Sequence, residues 1–175
     1  MPSLVRAFIT TFRPSKQDEP YPWKPLRPRF SYGVRVFFDG SLKGFAASWI
    51  KSKESTLPEM MCLAALLTSL DEHGVEPSKL ELILNSAHLK TRIEQVKNAL
   101  QKQQQGKPVT PIQNAEQWET TVRHLDLFDW GLRPAIGETE EEQIGLIKSH
   151  LKDEFYTTQR FVAKGPPSFE LNLSD

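Results

Sequence analysis

The chain has 175 residues, of which 38% are hydrophobic and 25% are charged, and its 22 basic residues balance its 22 acidic ones. The length suits one domain with extensions or at most two small domains, and the composition excludes a disordered chain of low hydrophobicity and high net charge. No apolar run approaches the roughly 20 residues that span a bilayer, and the zero net charge means that any nucleic-acid binding must come from a local patch.

The first 31 residues are rich in proline and in basic side chains, and they are predicted to form an N-terminal arm. X-Pro steps in residues 14–28 favour an extended chain. Residues 1–13 contain basic and hydroxyl side chains but no acid, which is compatible with a mitochondrial presequence. The favoured alternative is that they form a strand or pack on the domain, because β-branched residues are poor helix formers. They would then use four large apolar side chains, Leu4, Phe8, Ile9 and Phe12.

A hairpin and a helix are predicted after the arm. Residues 32–38 form a β-rich run that ends in the turn signal Asp39-Gly40, and residues 44–51 form a second run, so the two should pair. Residues 59–70 place apolar side chains at helical spacing behind a proline that suits a first helical turn.

The rest of the chain alternates between strand and helix patterns. Residues 80–84 predict a short buried strand, and Ser86 then opens a helix that ends before residue 101. An Asn-x-x-Gln capping box that starts at Asn114 opens another helix. Residues 127–132 predict a strand, and residues 137–151 have the apolar spacing of a final helix behind an acidic first turn.

The predicted order is β-β-α-β-α-α-β-α, which indicates an α/β fold with a mixed sheet flanked by helices. The predicted domain covers residues 32–156, and residues 157–175 form a C-terminal tail. Ligands of such sheets gather near the carboxyl ends of the strands. Those ends carry Asp39, Asn85 and the segment that follows Leu132.

Five short motifs occur along residues 32–151 in a definite order. A strand ends in Asp39-Gly40-Ser41, a helix opens with Glu59, and a strand ends in Asn85 before an apolar helix. The segments NAEQW and FDWGLRP follow, the second before the final helix. In this order and spacing the motifs resemble those of the type 1 ribonuclease H domain. The resemblance implies a ribonuclease H-like mixed sheet flanked by helices.

The resemblance also implies an activity, metal-dependent cleavage of RNA in RNA–DNA hybrids by two Mg²⁺ ions that four carboxylates hold. Asp39 matches the first carboxylate and Glu59 the second, so these two would be the metal ligands. The third position holds Asn85, and Ile144 or Gly145 falls at the fourth. Two carboxylates cannot balance two divalent cations, so metal binding should be weak and the active site degenerate.

One glutamate of the last helix could restore a ligand. Glu141 lies one turn before Gly145 and would reach the site by a shift in register. The favoured interpretation is that acids in this first turn interact with the helix dipole. No cofactor is therefore expected to be required, and Mg²⁺ or Mn²⁺ would matter only for residual nuclease activity.

Two basic clusters are candidates for binding a nucleic acid such as an RNA–DNA hybrid or duplex, because such cations contact phosphates. The arm contributes Lys24, Arg27 and Arg29, and the helix after Asn85 contributes Lys90, Arg92 and Lys97. A solvated helix face explains the second cluster equally well. Residues 14–30 and 157–175 are alternative contacts for a protein partner.

Three functions follow as hypotheses. The leading one is a catalytically impaired ribonuclease H-like domain that acts as a nucleic-acid-binding or protein-interaction scaffold. The first alternative is a divergent metal-dependent endonuclease that cleaves RNA in hybrids with Asp39, Glu59 and a helix glutamate. The second alternative is a protein-interaction module that uses the arm and the tail. An intracellular, soluble location without a membrane partner is the default expectation, because the sequence shows neither a signal peptide nor an anchor.

Overall fold

The computed structural model describes residues 1–13, 30–50, 56–158 and 171–174, and these contain five strands and four helices. The strands are β1 (Leu4–Phe12), β2 (Phe30–Phe38), β3 (Ser41–Ile50), β4 (Lys79–Ile83) and β5 (Asp129–Arg133). The helices are α1 (Thr56–Glu72), α2 (His88–Gln104), α3 (Ala115–Leu125) and α4 (Gly137–Thr158). The predicted α/β class is confirmed, with one strand added at the start.

The five strands form one mixed sheet in the order β3-β2-β1-β4-β5. The pairs β1–β2 and β2–β3 are antiparallel, whereas β4 runs parallel to both β1 and β5. In the register, Leu4 lies beside Lys79 and Phe8 beside Ile83. Strands β1, β3, β4 and β5 therefore end at the same edge of the sheet, and β2 ends at the opposite edge.

The central strand β1 corrects the prediction that residues 1–31 form an arm outside the domain. Its side chains alternate as a doubly covered strand requires. Val5, Ala7 and Ile9 are buried in the main core, and Phe8 is buried on the opposite face. Residues 4–12 thus form the strand that was the favoured alternative for this segment. The remainder of the predicted arm, residues 14–29, lies outside the described residues.

Helices cover both faces of the sheet. Helices α1, α2 and α3 enclose the main core on one face, and α4 packs on the other face through Ile144, Ile147 and Leu151. Gly33 of β2 permits this contact, because a Cβ atom there would lie 2.8 Å from a methyl group of Ile147. The glycine therefore lets α4 approach the sheet closely.

Two predicted boundaries differ from the structure. Asn114 lies at the start of α3 but makes no side-chain capping hydrogen bond, so the capping box with Gln117 is not formed. Its φ of 59° is left-handed, whereas a capping side chain requires an extended backbone. Helix α2 continues to Gln104, into the predicted loop, because lysine and glutamine are good helix formers.

Part of the predicted tail packs against the domain. Leu171 is buried in the main core, and its carbonyl accepts a hydrogen bond from the Ser69 hydroxyl at 2.9 Å. The N–H of Ser174 donates to the carbonyl of Lys43 at 2.7 Å, beside the edge strand β3. Residues 159–170 lie outside the described residues. Within the described ranges, no helix is both long and apolar enough to span a membrane.

Candidate functional site

The site is built where the parallel strands end. We call this region the carboxyl edge: it comprises Asn85 and Ser86 after β4, residues 134–136 after β5, and the first turns of α1 and α4. Loops at this end of an open α/β sheet carry polar side chains from separate elements into one place. Three of the four predicted catalytic residues, Glu59, Asn85 and Glu141, belong to this region.

Asn85 connects three elements at the carboxyl edge. Its Oδ1 accepts a hydrogen bond from the backbone N–H of Ala135 at 3.0 Å. Its Nδ2 donates to Oε2 of Glu141 at 3.3 Å. The structure thus brings Asn85 and Glu141 together, and it engages both polar atoms of the amide.

Glu59 is buried in the first turn of α1. Only 2% of the residue is exposed, and Oε2 has no hydrogen-bond partner among the described residues. Burial raises the pKa of Glu59 to about 7, although a hydrogen bond from the Ser86 hydroxyl opposes this shift. Near neutral pH the side chain is therefore a mixture of the neutral acid and the carboxylate, which makes it a weaker cation ligand than an exposed glutamate.

Asp39 lies at the opposite end of the sheet, in the turn between β2 and β3. Its carboxylate accepts hydrogen bonds from the hydroxyl of Ser3 at 2.7 Å and from the N–H of Leu4 at 3.0 Å. These bonds, those from Ser3 foremost, lower the pKa of Asp39. Leu4 is level with Lys79, six residues before Asn85 along the chain, which corresponds to about 20 Å.

This placement corrects the prediction that Asp39 and Glu59 share a metal ion. The motif Asp-Gly-Ser ends β2, which is antiparallel to β1, and so it reaches the amino end of the central strand. Extending the register of β1 and β4 by two residues instead brings Thr10 level with Asn85. Strand β1 contains neither Asp nor Glu, so it contributes no carboxylate to the carboxyl edge.

The donor set does not fit two Mg²⁺ ions. The carboxyl edge offers a buried and partly protonated Glu59, a Glu140 that Arg133 already holds, and the exposed Glu138 and Glu141. The polar atoms of its amide, Asn85, are already bonded. Hard divalent cations require several charged oxygen ligands. Within the part of the chain that the structure describes, no group of three or more His, Cys, Asp or Glu side chains could hold a metal ion.

A charge network that the sequence did not reveal fixes α4 against the sheet. Glu140 accepts two hydrogen bonds from the Arg133 guanidinium, at 2.6 and 2.8 Å, and one from the N–H of Ile136 at 2.8 Å. The Arg133 bonds, as the main cause, lower the pKa of Glu140 to about 2. Glu81 of β4 joins Arg133 to Arg6 of β1. The only sequence signal is that three strands contain charged side chains, among them Arg6, Glu81 and Arg133.

The predicted cations of α2 do not form one basic face. Lys90 and Lys97 are seven residues apart and lie on the same side of the helix, whereas Arg92 lies on the other side. Lys97 is already bonded to Asp126 at 3.3 Å and lies 5.9 Å from the ring centre of Trp130. Lys90 is exposed in the first turn, next to the carboxyl edge. Lys24, Arg27 and Arg29 fall outside the described residues.

The fold is similar to that of solved ribonuclease H structures, whereas no protein-family model and no curated protein matches the sequence. RNase H1 of the archaeon Halobacterium salinarum is 18% identical, with a TM-score of 0.51 over 88% of this chain and 98% of that one. LC9-RNase H1, a type 1 RNase H with the type 2 active-site motif, is 12% identical, with a TM-score of 0.60 over 99% of this chain and 79% of that one. A foamy viral protease-reverse transcriptase in complex with an RNA/DNA hybrid is 10% identical, with a TM-score of 0.55 over 89% of this chain and 20% of that one.

Proposed function

Because the chain has a ribonuclease H-like fold, we propose that it is a nucleic-acid-binding domain in which the cleavage centre of that fold is not assembled. The observation that carries this proposal is the composition of the carboxyl edge. The strand beside Asn85 has Thr10 instead of a carboxylate at this level. The amide of Asn85 is hydrogen-bonded to Ala135 and Glu141. An edge whose amide is internally bonded, whose Glu140 is held by Arg133 and whose Glu59 is partly protonated suits binding better than two-metal catalysis.

Three observations support a nucleic acid as the ligand. The similar foamy viral protein was solved with an RNA/DNA hybrid, and its fold was again similar in a complex with double-stranded DNA. Lys90 stands exposed beside the carboxyl edge, where it can contact a phosphate. Residues 14–30 add four basic residues against two acidic ones, which supplies a local positive charge in a chain of zero net charge.

The experiment is a binding titration of the full chain with a labelled RNA–DNA hybrid in EDTA, at increasing salt. Duplex DNA and single-stranded DNA of the same sequence serve as comparisons. We expect binding that needs no divalent cation and weakens steeply with salt, because phosphate contacts release counterions. A chain that binds none of these nucleic acids at low salt would contradict the proposal.

A further inference from the structure

We propose that Asn85 is a neutral bridge that holds the carboxyl edge together without a cation. This inference goes beyond the proposed function, because it concerns how β4, the β5–α4 connection and α4 are joined, and it does not require a nucleic acid to bind. The bridge consists of two hydrogen bonds of one amide, from Ala135 to Asn85 and from Asn85 to Glu141.

The chemistry of the amide is essential to this bridge. An asparagine carries one acceptor oxygen and one donor NH₂ group, so it can accept from a backbone N–H and donate to a carboxylate at the same time. An aspartate in the same place could still accept from Ala135. It would have no donor for Glu141, and the two carboxylates would meet at the 3.3 Å that now separates Nδ2 from Oε2.

The surroundings make an added negative charge costly. Glu59, buried in α1, hydrogen-bonds to Ser86, the residue that follows Asn85, and its Oε2 has no partner among the described residues. Two carboxylates at this distance repel each other, and a proton on one of them or a bound cation relieves the repulsion. An edge held by Asn85 has no such repulsion, whereas an edge with aspartate at this position would be stabilised by either.

The test is thermal unfolding of the full chain at pH 8, in EDTA and then with added Mg²⁺ or Mn²⁺. In EDTA we expect Asn85→Asp to lower Tm by about 2–4 °C, the shift that about 1 kcal/mol produces in a domain of this size. Divalent cation should restore that loss. The double variant Asn85→Asp with Glu141→Gln reverses donor and acceptor, so it should recover Tm in EDTA and not respond to cation. Glu142→Gln, an exposed change on the same turn, is the matched control.

Each contrary result has a separate meaning. If Asn85→Asp keeps the wild-type Tm in EDTA, or if the double variant fails to recover it, the bridge does not hold the edge, and the inference is overturned while the binding proposal stands. If Mg²⁺ or Mn²⁺ raises the Tm of the wild-type chain and Glu141→Gln abolishes that rise, the edge already holds a cation. That result overturns both this inference and the proposed lack of a cleavage centre.

Discussion

Asp39 and Ser3 are joined by three hydrogen bonds at the amino end of the central strand. The Ser3 N–H lies 3.2 Å from each carboxylate oxygen, and the Ser3 hydroxyl donates to Oδ1 at 2.7 Å. The backbone N–H of Asp39 in turn donates to the carbonyl of Leu4 at 3.0 Å. This aspartate therefore fastens the β2–β3 turn to the start of β1.

Replacement of Asp39 by asparagine should affect folding and leave nucleic-acid binding unchanged. The change removes the charge that strengthens the bonds from Ser3 and Leu4, so we expect a lower Tm. Hybrid affinity should equal that of the wild type, because the residue lies at the end of the sheet away from Asn85. Affinity loss in a chain of unchanged Tm would show that Asp39 belongs to the binding site.

Stability should fall between about pH 4.5 and pH 7 because of Glu59. Its pKa is raised from the ordinary 4.5 to about 7 in the folded chain, so the folded state holds a proton that the unfolded state releases over this range. Since one pKa unit corresponds to about 1.4 kcal/mol, the loss reaches about 3 kcal/mol. Stability from this group is fully present below pH 4.5 and absent well above pH 7.

Glu59→Gln should remove this pH dependence, because glutamine does not titrate. Urea unfolding at pH 5 and pH 8 measures the effect: the variant should exceed the wild type in stability at pH 8 and lose that advantage at pH 5. An equal pH response of the two proteins would mean that Glu59 is ionised throughout the range.

Glu140→Gln should destabilise the chain by about 1–2 kcal/mol near neutral pH, because it weakens a two-pronged, charge-assisted contact with Arg133. The pKa of Glu140 is lowered to about 2, so its stabilisation is present above pH 4.5 and disappears as pH falls towards 2. Glu138→Gln is the matched control, since Glu138 is exposed in the same first turn. Equal urea midpoints for the two variants would contradict this role.

The two lysines on one side of α2 should behave differently. Lys90→Ala should weaken hybrid binding and reduce the steepness of its salt dependence by about one counterion, as the loss of one phosphate contact does. Lys97→Ala should change binding less, because its cation is already held by Asp126 and Trp130. Salt titrations of hybrid binding by both variants test this. A larger loss of affinity for Lys97→Ala than for Lys90→Ala would place the binding surface farther along α2.

Leu171→Ala should cost about 2–4 kcal/mol, the usual range for truncation of a buried leucine. Leu171 is 7% exposed in the main core, although more than a hundred residues separate it from Ser69, which bonds its carbonyl. Leu127→Ala, at a residue that is 64% exposed, is the control and should be nearly neutral. If both variants unfold at the same urea concentration, the tail does not contribute to the core.

Local patterns predicted most of the elements, since apolar spacing determines which face of α1, α2 or β4 is buried. For residues 1–13 the same patterns favoured a strand or a segment packed on the domain, but they did not place it at the centre of the sheet. The proline-rich stretch that follows β1 led residues 1–31 to be predicted as an arm. Only pairing with β2 and β4 makes Leu4–Phe12 the central strand, and pairing is a tertiary property.

The candidate site was predictable only where local patterns locate its residues. Asn85 directly follows a recognisable buried strand, and Glu141 sits in a recognisable helix, so both could be assigned to one edge. Asp39 was assigned to the wrong end of the sheet, because a strand that ends in Asp-Gly has the same local pattern whether it is the first or the second strand of the sheet. The contact of Arg133 with Glu140 depends on how α4 approaches the sheet, which no local pattern encodes.

Binding without cleavage is tested most directly by incubating the full chain with an end-labelled RNA–DNA hybrid, in Mg²⁺ and separately in Mn²⁺. Bound hybrid and cleaved hybrid are then measured in the same sample. Glu59→Gln is assayed beside the wild type, because Glu59 is the buried carboxylate at the carboxyl edge. We expect the wild type to bind the hybrid and to leave its RNA strand intact in both metals. Cleavage by the wild type that Glu59→Gln abolishes would contradict this expectation.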